Sequence, residues 1–450
     1  MAIALSILQD AGTVLYYTWW FWIFIIFLPL FLDTWLFWRQ EMFKSNVDFV
    51  LLELRMPREV RKSPMAMEQV LAAIHSLRNI PGNPQEKWMT GEVTLWYSLE
   101  LVSIGGAIHF YVRSYRKQQP LIEAAFFAYY PDIEVVEVED YVKQLPENVT
   151  ELYESGYDLW GIELILNKDD AYPIKSYLDF EAPEEEKQFD PMSHFLEVLG
   201  KVKREETVAI QIVIAPAGAK WREEGERLIE ELSTKKGTGE KGPGAKIHTE
   251  FPHILPTFES QKIDAKAENE FAKVLMRTPG QTDVMKAIEE NLAKPGFETV
   301  VRFIYTSPKD LFFNGTARQG ILSAFNQYAS TNMNSFVPNY ETGTSTHAWV
   351  YPHILPARRG LLRKERMLMN FRNRAIPPQN DMGTKILSRW LNPESSETIM
   401  LSSRSLATLF HPPTWLVLTA PHVKRVESKK AGPPSGLPIY GGDENIEKYR

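Results

Sequence analysis

The chain has no cysteine in its 450 residues. That excludes disulfides, thiolate metal sites, cysteine nucleophiles and Cys-ligated iron–sulfur clusters. Phosphate-binding signatures are missing too. No G-x-x-x-x-G-K-[ST] run occurs, so there is no Walker A loop, and H-E-x-x-H and G-x-S-x-G are absent. Gly237–Gly242 matches G-x-G-x-x-G by letter, but it follows a charged helical stretch rather than a strand and reads as a flexible loop. The nine histidines are scattered, and the acidic clusters Glu184–Glu186 and Asp169-Asp170 read as solvated. Phe251–Pro256 (FPHILP) echoes Tyr351–Pro356 (YPHILP), and His253 and His353 in these loops read as packing residues, not metal ligands. The expectation is no catalytic residue, no cofactor, no metal and a non-enzymatic protein.

Positive charge is absent from the first 38 residues. In its place an uncharged run extends from Ala11 to Leu32, with Tyr16, Tyr17, Trp19 and Trp20 at one end and Trp35 and Trp38 just beyond the other. About 20 apolar residues cross a bilayer core, and Trp and Tyr gather at its interfaces. The pattern predicts a transmembrane helix over 14–38 after a short tail, 1–13. Arg39, Lys44 and Arg55 follow it, so the positive-inside bias predicts a single pass through the cell inner membrane, N-terminus outside and main body cytoplasmic.

What remains is charged and mildly acidic, with a net charge of −7 over the whole chain. That argues against a surface that coats nucleic acid generally. Hydrophobic periodicity predicts β-α-β-β-α-β over 46–145: strand 47–55, helix 64–76, a hairpin about Gly105-Gly106, helix 117–129 and strand 133–138. This is the order of a ferredoxin-like unit. A second copy is predicted over 155–340. Ile162-Glu163-Leu164 echoes Leu52-Glu53-Leu54, and Asp190-Pro191-Met192 echoes Ser63-Pro64-Met65, each with an N-cap acceptor before a proline. The second copy is interrupted by an insertion at about 218–293. The fold class expected is α+β, with tandem ferredoxin-like units behind the helix.

Residues 341–428 read as a C-terminal α+β region. Within 357–374 lie Arg358, Arg359, Arg363, Lys364, Arg366, Arg372 and Arg374 against a single acid, Glu365, a net of +6. Such a field suits nucleic-acid phosphates, anionic lipid or an acidic partner. The same pattern also suits a helix that pairs with the protein's own acids. Residues 429–450 are Pro/Gly-rich and read as a tail.

Four segments carry a resemblance: Leu52–Arg58 with Ser63–Gln69, Tyr172–Tyr177 leading to Asp190-Pro191, Lys294–Phe297, and Ser405–His411 before the Pro-rich Gly432–Pro438. They resemble the membrane-anchored, non-ATPase N-terminal part of type IV secretion (conjugation-type) ATPases of small-genome bacteria. The resemblance implies a platform without a motor. The function expected is a non-enzymatic, membrane-anchored component of a secretion-like or DNA-transfer machine that positions an ATPase or a substrate. Its expected partners are the lipid bilayer, a separate ATPase or other secretion subunits, DNA, and further copies of itself. The alternative is a membrane-tethered nucleic-acid-binding protein that works without a secretion system.

Overall fold

A computed structural model describes residues 2–57, 60, 62–181, 189–234, 279–347, 353–377, 395–414 and 425–426. The Gly237–Gly242 loop, His253 and the tail at 429–450 lie outside the described residues.

The core is one mainly antiparallel sheet. Strands β1 (Phe49–Pro57), β2 (Tyr97–Ile104), β3 (Ala107–Tyr115) and β4 (Glu134–Val138) come from the first part of the chain. From the second come β5 (Tyr157–Leu166), β6 (Thr207–Pro216), β7 (Gly296–Pro308) and β8 (Phe336–Asn339). Their order runs β1-β3-β2-β6-β7-β5-β8, with β4 also on β1, and the join is the pairing of β2 with β6 over eight residues, Tyr97↔Ile214 to Ile104↔Thr207. Two short strands complete it: β9 (Ile399–Ser402) on β7, and β10 (Arg425–Val426) parallel to β1. Within each half the order is the same, since β1 lies between β4 and β3 as β5 lies between β8 and β7.

The expectation of tandem ferredoxin-like units is corrected here. The two β-α-β-β-α-β runs do not close as separate units. The outer strand of each pairs with the other, which satisfies edge N–H and C=O groups that isolated units would leave open, so the chain forms one large sheet.

Alternating apolar side chains put one sheet face under helices α2 (Met65–Ser76), α3 (Gln119–Tyr129), α5 (Met192–Gly200), α8 (Asn314–Asn326) and α10 (Ser403–Leu409). Between α3 and α5 in sequence, α4 (Val149–Glu154) packs on the opposite face with α9 (Pro356–Asn373). Helices α6 (Lys220–Thr234) and α7 (Pro279–Leu292) pack together at one end through Trp221, Ile288 and Leu292. The repeated helix starts differ from the expected caps, since Pro64 and Pro191 themselves hold the N-cap places, while Ser63 Oγ accepts from the N–H of Met65 at 3.4 Å and Asp190 Oδ1 from that of Met192 at 2.7 Å.

The N-terminal helix α1 (Ala2–Ser45) is 44 residues long. Among the described residues no helix is long and apolar enough to cross a membrane. That overturns the transmembrane helix expected over 14–38, and with it the single-pass inner-membrane location. The physical reasons lie in the residues. Five of the 22 residues of the uncharged run are Trp or Tyr, whose rings carry polar N–H and O–H groups, and Pro29 lies within it. The expected C-terminal end of the span is instead a docked segment. Leu36 is buried, and the Trp35 indole N–H donates to the Trp88 carbonyl at 3.1 Å. The body presents there a single π-turn, Glu86–Thr90, closed by Gly91 at φ 75°. A Cβ on Gly91 would lie 2.4 Å from the Arg39 carbonyl, so only glycine lets α1 approach this closely.

Candidate functional site

Five strands place a charged or amide residue in the middle of an apolar run, and register brings these residues into line with Tyr111. Glu53 (β1) stands opposite Tyr111 (β3), Tyr111 opposite Glu100 (β2), Glu100 opposite Gln211 (β6), Gln211 opposite Arg302 (β7) and Arg302 opposite Glu163 (β5). Directly paired residues point to the same face, so the row runs across the face that carries α9. Glu53 and Glu163 occupy matching places in the two halves, the places of the sequence echo.

Four members of the row, Glu100, Gln211, Arg302 and Glu163, are joined by hydrogen bonds. Arg302 donates to Glu163 Oε1 from Nε and Nη2 at 2.9 and 2.7 Å, and to Gln211 Oε1 at 3.0 Å. It also donates to the Asn370 and Ala375 carbonyls at the end of α9. Gln211 donates to Glu100 and to the Phe371 carbonyl. Arg374 reaches Glu100 from Nε at 2.8 Å and from Nη2 at 3.1 Å, and Asp140 from Nη1 at 2.5 Å. Ser98 and Tyr141 donate to Glu100 as well.

Burial alone would raise the Glu100 and Asp140 carboxyls, but the Arg374 guanidinium outweighs it and holds both below the usual carboxylate range. Burial opposes the charge on Arg374, and Glu100 overcomes that and raises it above the ordinary arginine value. Arg374 closes α9 in the left-handed region, φ 47°, where glycine is usual. Its two carboxylate partners account for an arginine there.

The basic segment is thereby placed, residue by residue. Arg359 and Arg374 are buried, and Arg359 donates to the His347 carbonyl at 2.9 Å. Arg363 donates to the carbonyls of Tyr340 and Gly343, Lys364 pairs with Asp158 at 2.5 Å, and Arg372 donates to the carbonyls of Val142, Leu145 and Pro146. Arg366 is half-buried, and Arg358 is the one exposed member of the seven. Glu365, the lone acid, accepts from the N–H of Val149 at the start of α4. Gly161 on β5 allows α9 to sit this low, because a Cβ there would meet Met367 Cγ at 2.8 Å.

Reading the sequence missed Glu100, Gln211 and Arg302. The signal was present: a single charged or amide side chain inside YSLELV, AIQIV and VVRFI. A polar group buried in a strand demands a partner. Chemically this is a locked arrangement, with acids and bases spent on one another. Among the described residues no group of three or more His, Asp or Glu is placed to hold a metal. A small void between β2 and β6, lined by Leu99, Leu101, Phe195, Ile210, Phe325 and Phe410, holds no titratable group.

Fold and row together define an α+β protein built on a single large sheet with a buried polar network. The family model described as a domain of unknown function (DUF8128) matches residues 39–339, more than half of the chain, and the chain belongs to this family. The match ends at the last residue of β8, so it covers both halves of the sheet and leaves out α9, β9 and α10. No curated protein matches the chain. The family description carries no link to secretion ATPases.

Proposed function

We propose that this protein is a non-enzymatic scaffold that positions another component, an ATPase or a substrate, of a larger machine. The observation that carries this reading is α1. Its last turns are fixed to the body, while Tyr16, Tyr17, Trp19, Trp20, Phe24, Phe27 and Phe31 are exposed. Exposed apolar surface on this scale marks an interaction site. The locked polar row supports the non-enzymatic part of the reading, because its charges already have partners. A secretion-like or DNA-transfer setting is supported by the four-segment sequence resemblance alone. The nucleic-acid alternative gains nothing from the basic segment, six of whose seven side chains are half-buried or buried.

A photo-reactive amino acid at Trp20 or Phe27 of the full-length chain tests the reading in cells. Discrete cross-linked partners are expected, and the same group at exposed Met65 should give none of them. Magnesium-dependent ATP turnover by the pure protein, abolished by a point substitution in this chain, would overturn it.

A further inference from the structure

The exposed aromatic residues of α1 fall into a pattern. Tyr17, Trp20, Phe24, Phe27, Phe31 and Trp38 follow one another at alternating steps of three and four, with Thr34 filling the remaining step. These are the a and d places of a heptad repeat, so the six rings form one stripe along the helix. Each of the six is between 48 and 71% exposed. The Thr34 hydroxyl donates to the Leu30 carbonyl at 2.8 Å, which leaves its methyl for the stripe. Trp35 stands at the edge of the stripe, stacked on Phe31 at 6.3 Å and 5.3 Å from Trp38 between ring centroids. Phe21, Ile25, Leu28 and Leu32 widen the apolar surface on that flank and are less exposed. Leu36, buried where α1 docks, takes the f place, the one most remote from a and d. The stripe therefore points away from the body.

Three features choose what covers it. Apolar residues repeating every 3.5 positions are the surface on which helices pack knobs into holes. In mixed coiled coils charged e and g places select the partner. No e or g place from Tyr16 to Phe37 carries a charge, so nothing discriminates against an identical helix. The area also suffices. At about 200 Å² a ring the stripe exposes roughly 700 Å² per copy. Two copies facing each other hide about 1,400 Å², the size of a specific interface. We propose that α1 self-associates through this stripe, forming a common stalk with the bodies on its outside. The inference rests on α1 being an interaction surface and names its partner, a second copy of this chain.

Phe24 and Trp19 give a matched pair of probes. They are 61 and 60% exposed, yet Phe24 lies at an a place and Trp19 at a c place off the stripe. Sedimentation of the full-length chain should show an oligomer. F24E should weaken its association by roughly tenfold or more, because it buries an unpaired carboxylate between copies. W19E should leave association close to wild type. If F24E fails to fold, a photo-reactive amino acid at Phe24 carries the test. It should give a covalent dimer of this chain, and the same group at Trp19 far less. A wild type that sediments as a monomer at every concentration overturns the proposal, as do equal effects of F24E and W19E or equal self-cross-linking at the two positions. A monomer whose Trp20 and Phe27 cross-links capture a different protein leaves α1 an interaction surface and removes only the self-association. A monomer that floats with phosphatidylcholine vesicles also overturns it, with lipid as the cover. A monomer that captures nothing removes both readings.

Discussion

At the residue scale, buried charges without substitutes are the points of greatest sensitivity. Replacing Arg374 with Met strands Glu100 and Asp140 without their cation. Breaking a buried pair in this way costs about 3–5 kcal/mol, and urea unfolding should show that loss with an unchanged slope. Asp170 presents the opposite case. It accepts the Met400 N–H at 2.9 Å, yet burial, with Asp169, Glu224 and Glu397 nearby, raises its carboxyl to about 6. An unfolded Asp titrates near 3.9. Below about pH 4 the group is protonated in both states and costs nothing. As pH rises toward 6 the unfolded chain releases its proton first, so this group's contribution to stability falls and stays low above pH 6. The Asp170→Asn variant keeps an acceptor for Met400 and should be more stable than wild type by about 1–3 kcal/mol above pH 6.5. That advantage should vanish near pH 4, as read by urea midpoints across the range.

At the scale of elements, α9 is a structural clamp with a basic composition. Arg358→Ala should change stability by less than about 0.5 kcal/mol. Arg359→Ala and Arg363→Ala, which remove a buried and a half-buried guanidinium from the His347, Tyr340 and Gly343 carbonyls, should each cost about 1–3 kcal/mol in thermal melts. The sequence left open whether the +6 stretch was a contact or an internally paired helix, because charge counts do not say where a side chain ends. The deciding residues were Met367, Leu368 and Phe371, a buried stripe among the arginines. The helix–turn seam at α1 can be tested in the same way. Gly91→Ala forces a Cβ into the Arg39 backbone, and should free the end of α1 and open a protease site between about residues 39 and 48, without melting the sheet.

At the scale of the whole molecule, strand positions were legible and their partners were not. The runs at 157–166 and 207–214 announce strands by apolar content alone, and the echo of Glu53 in Glu163 announces a repeat. Nothing local says that β2 must pair with β6, because that choice depends on two edges seeking each other across more than 100 residues. The short β8 and β9, four residues each, were missed because they lack the length to show a period. The seam has a consequence for folding. Fragments 46–146 and 147–414, expressed apart, should each fail to give cooperative melts, whereas co-expression should restore one transition, because the main core draws side chains from both. The N-terminal helix bears on geometry rather than stability. At 1.5 Å per residue it spans roughly 66 Å, and its foot is fastened at Trp35 and Gly91. In the proposed scaffold it would act as a ruler and a torsion bar at once. A partner that grips the aromatic end sets both the distance and the rotational heading of the sheet. Two residues inserted after Asp33 would turn that grip by about 200° and point the body away from whatever it serves, with every contact inside the body intact.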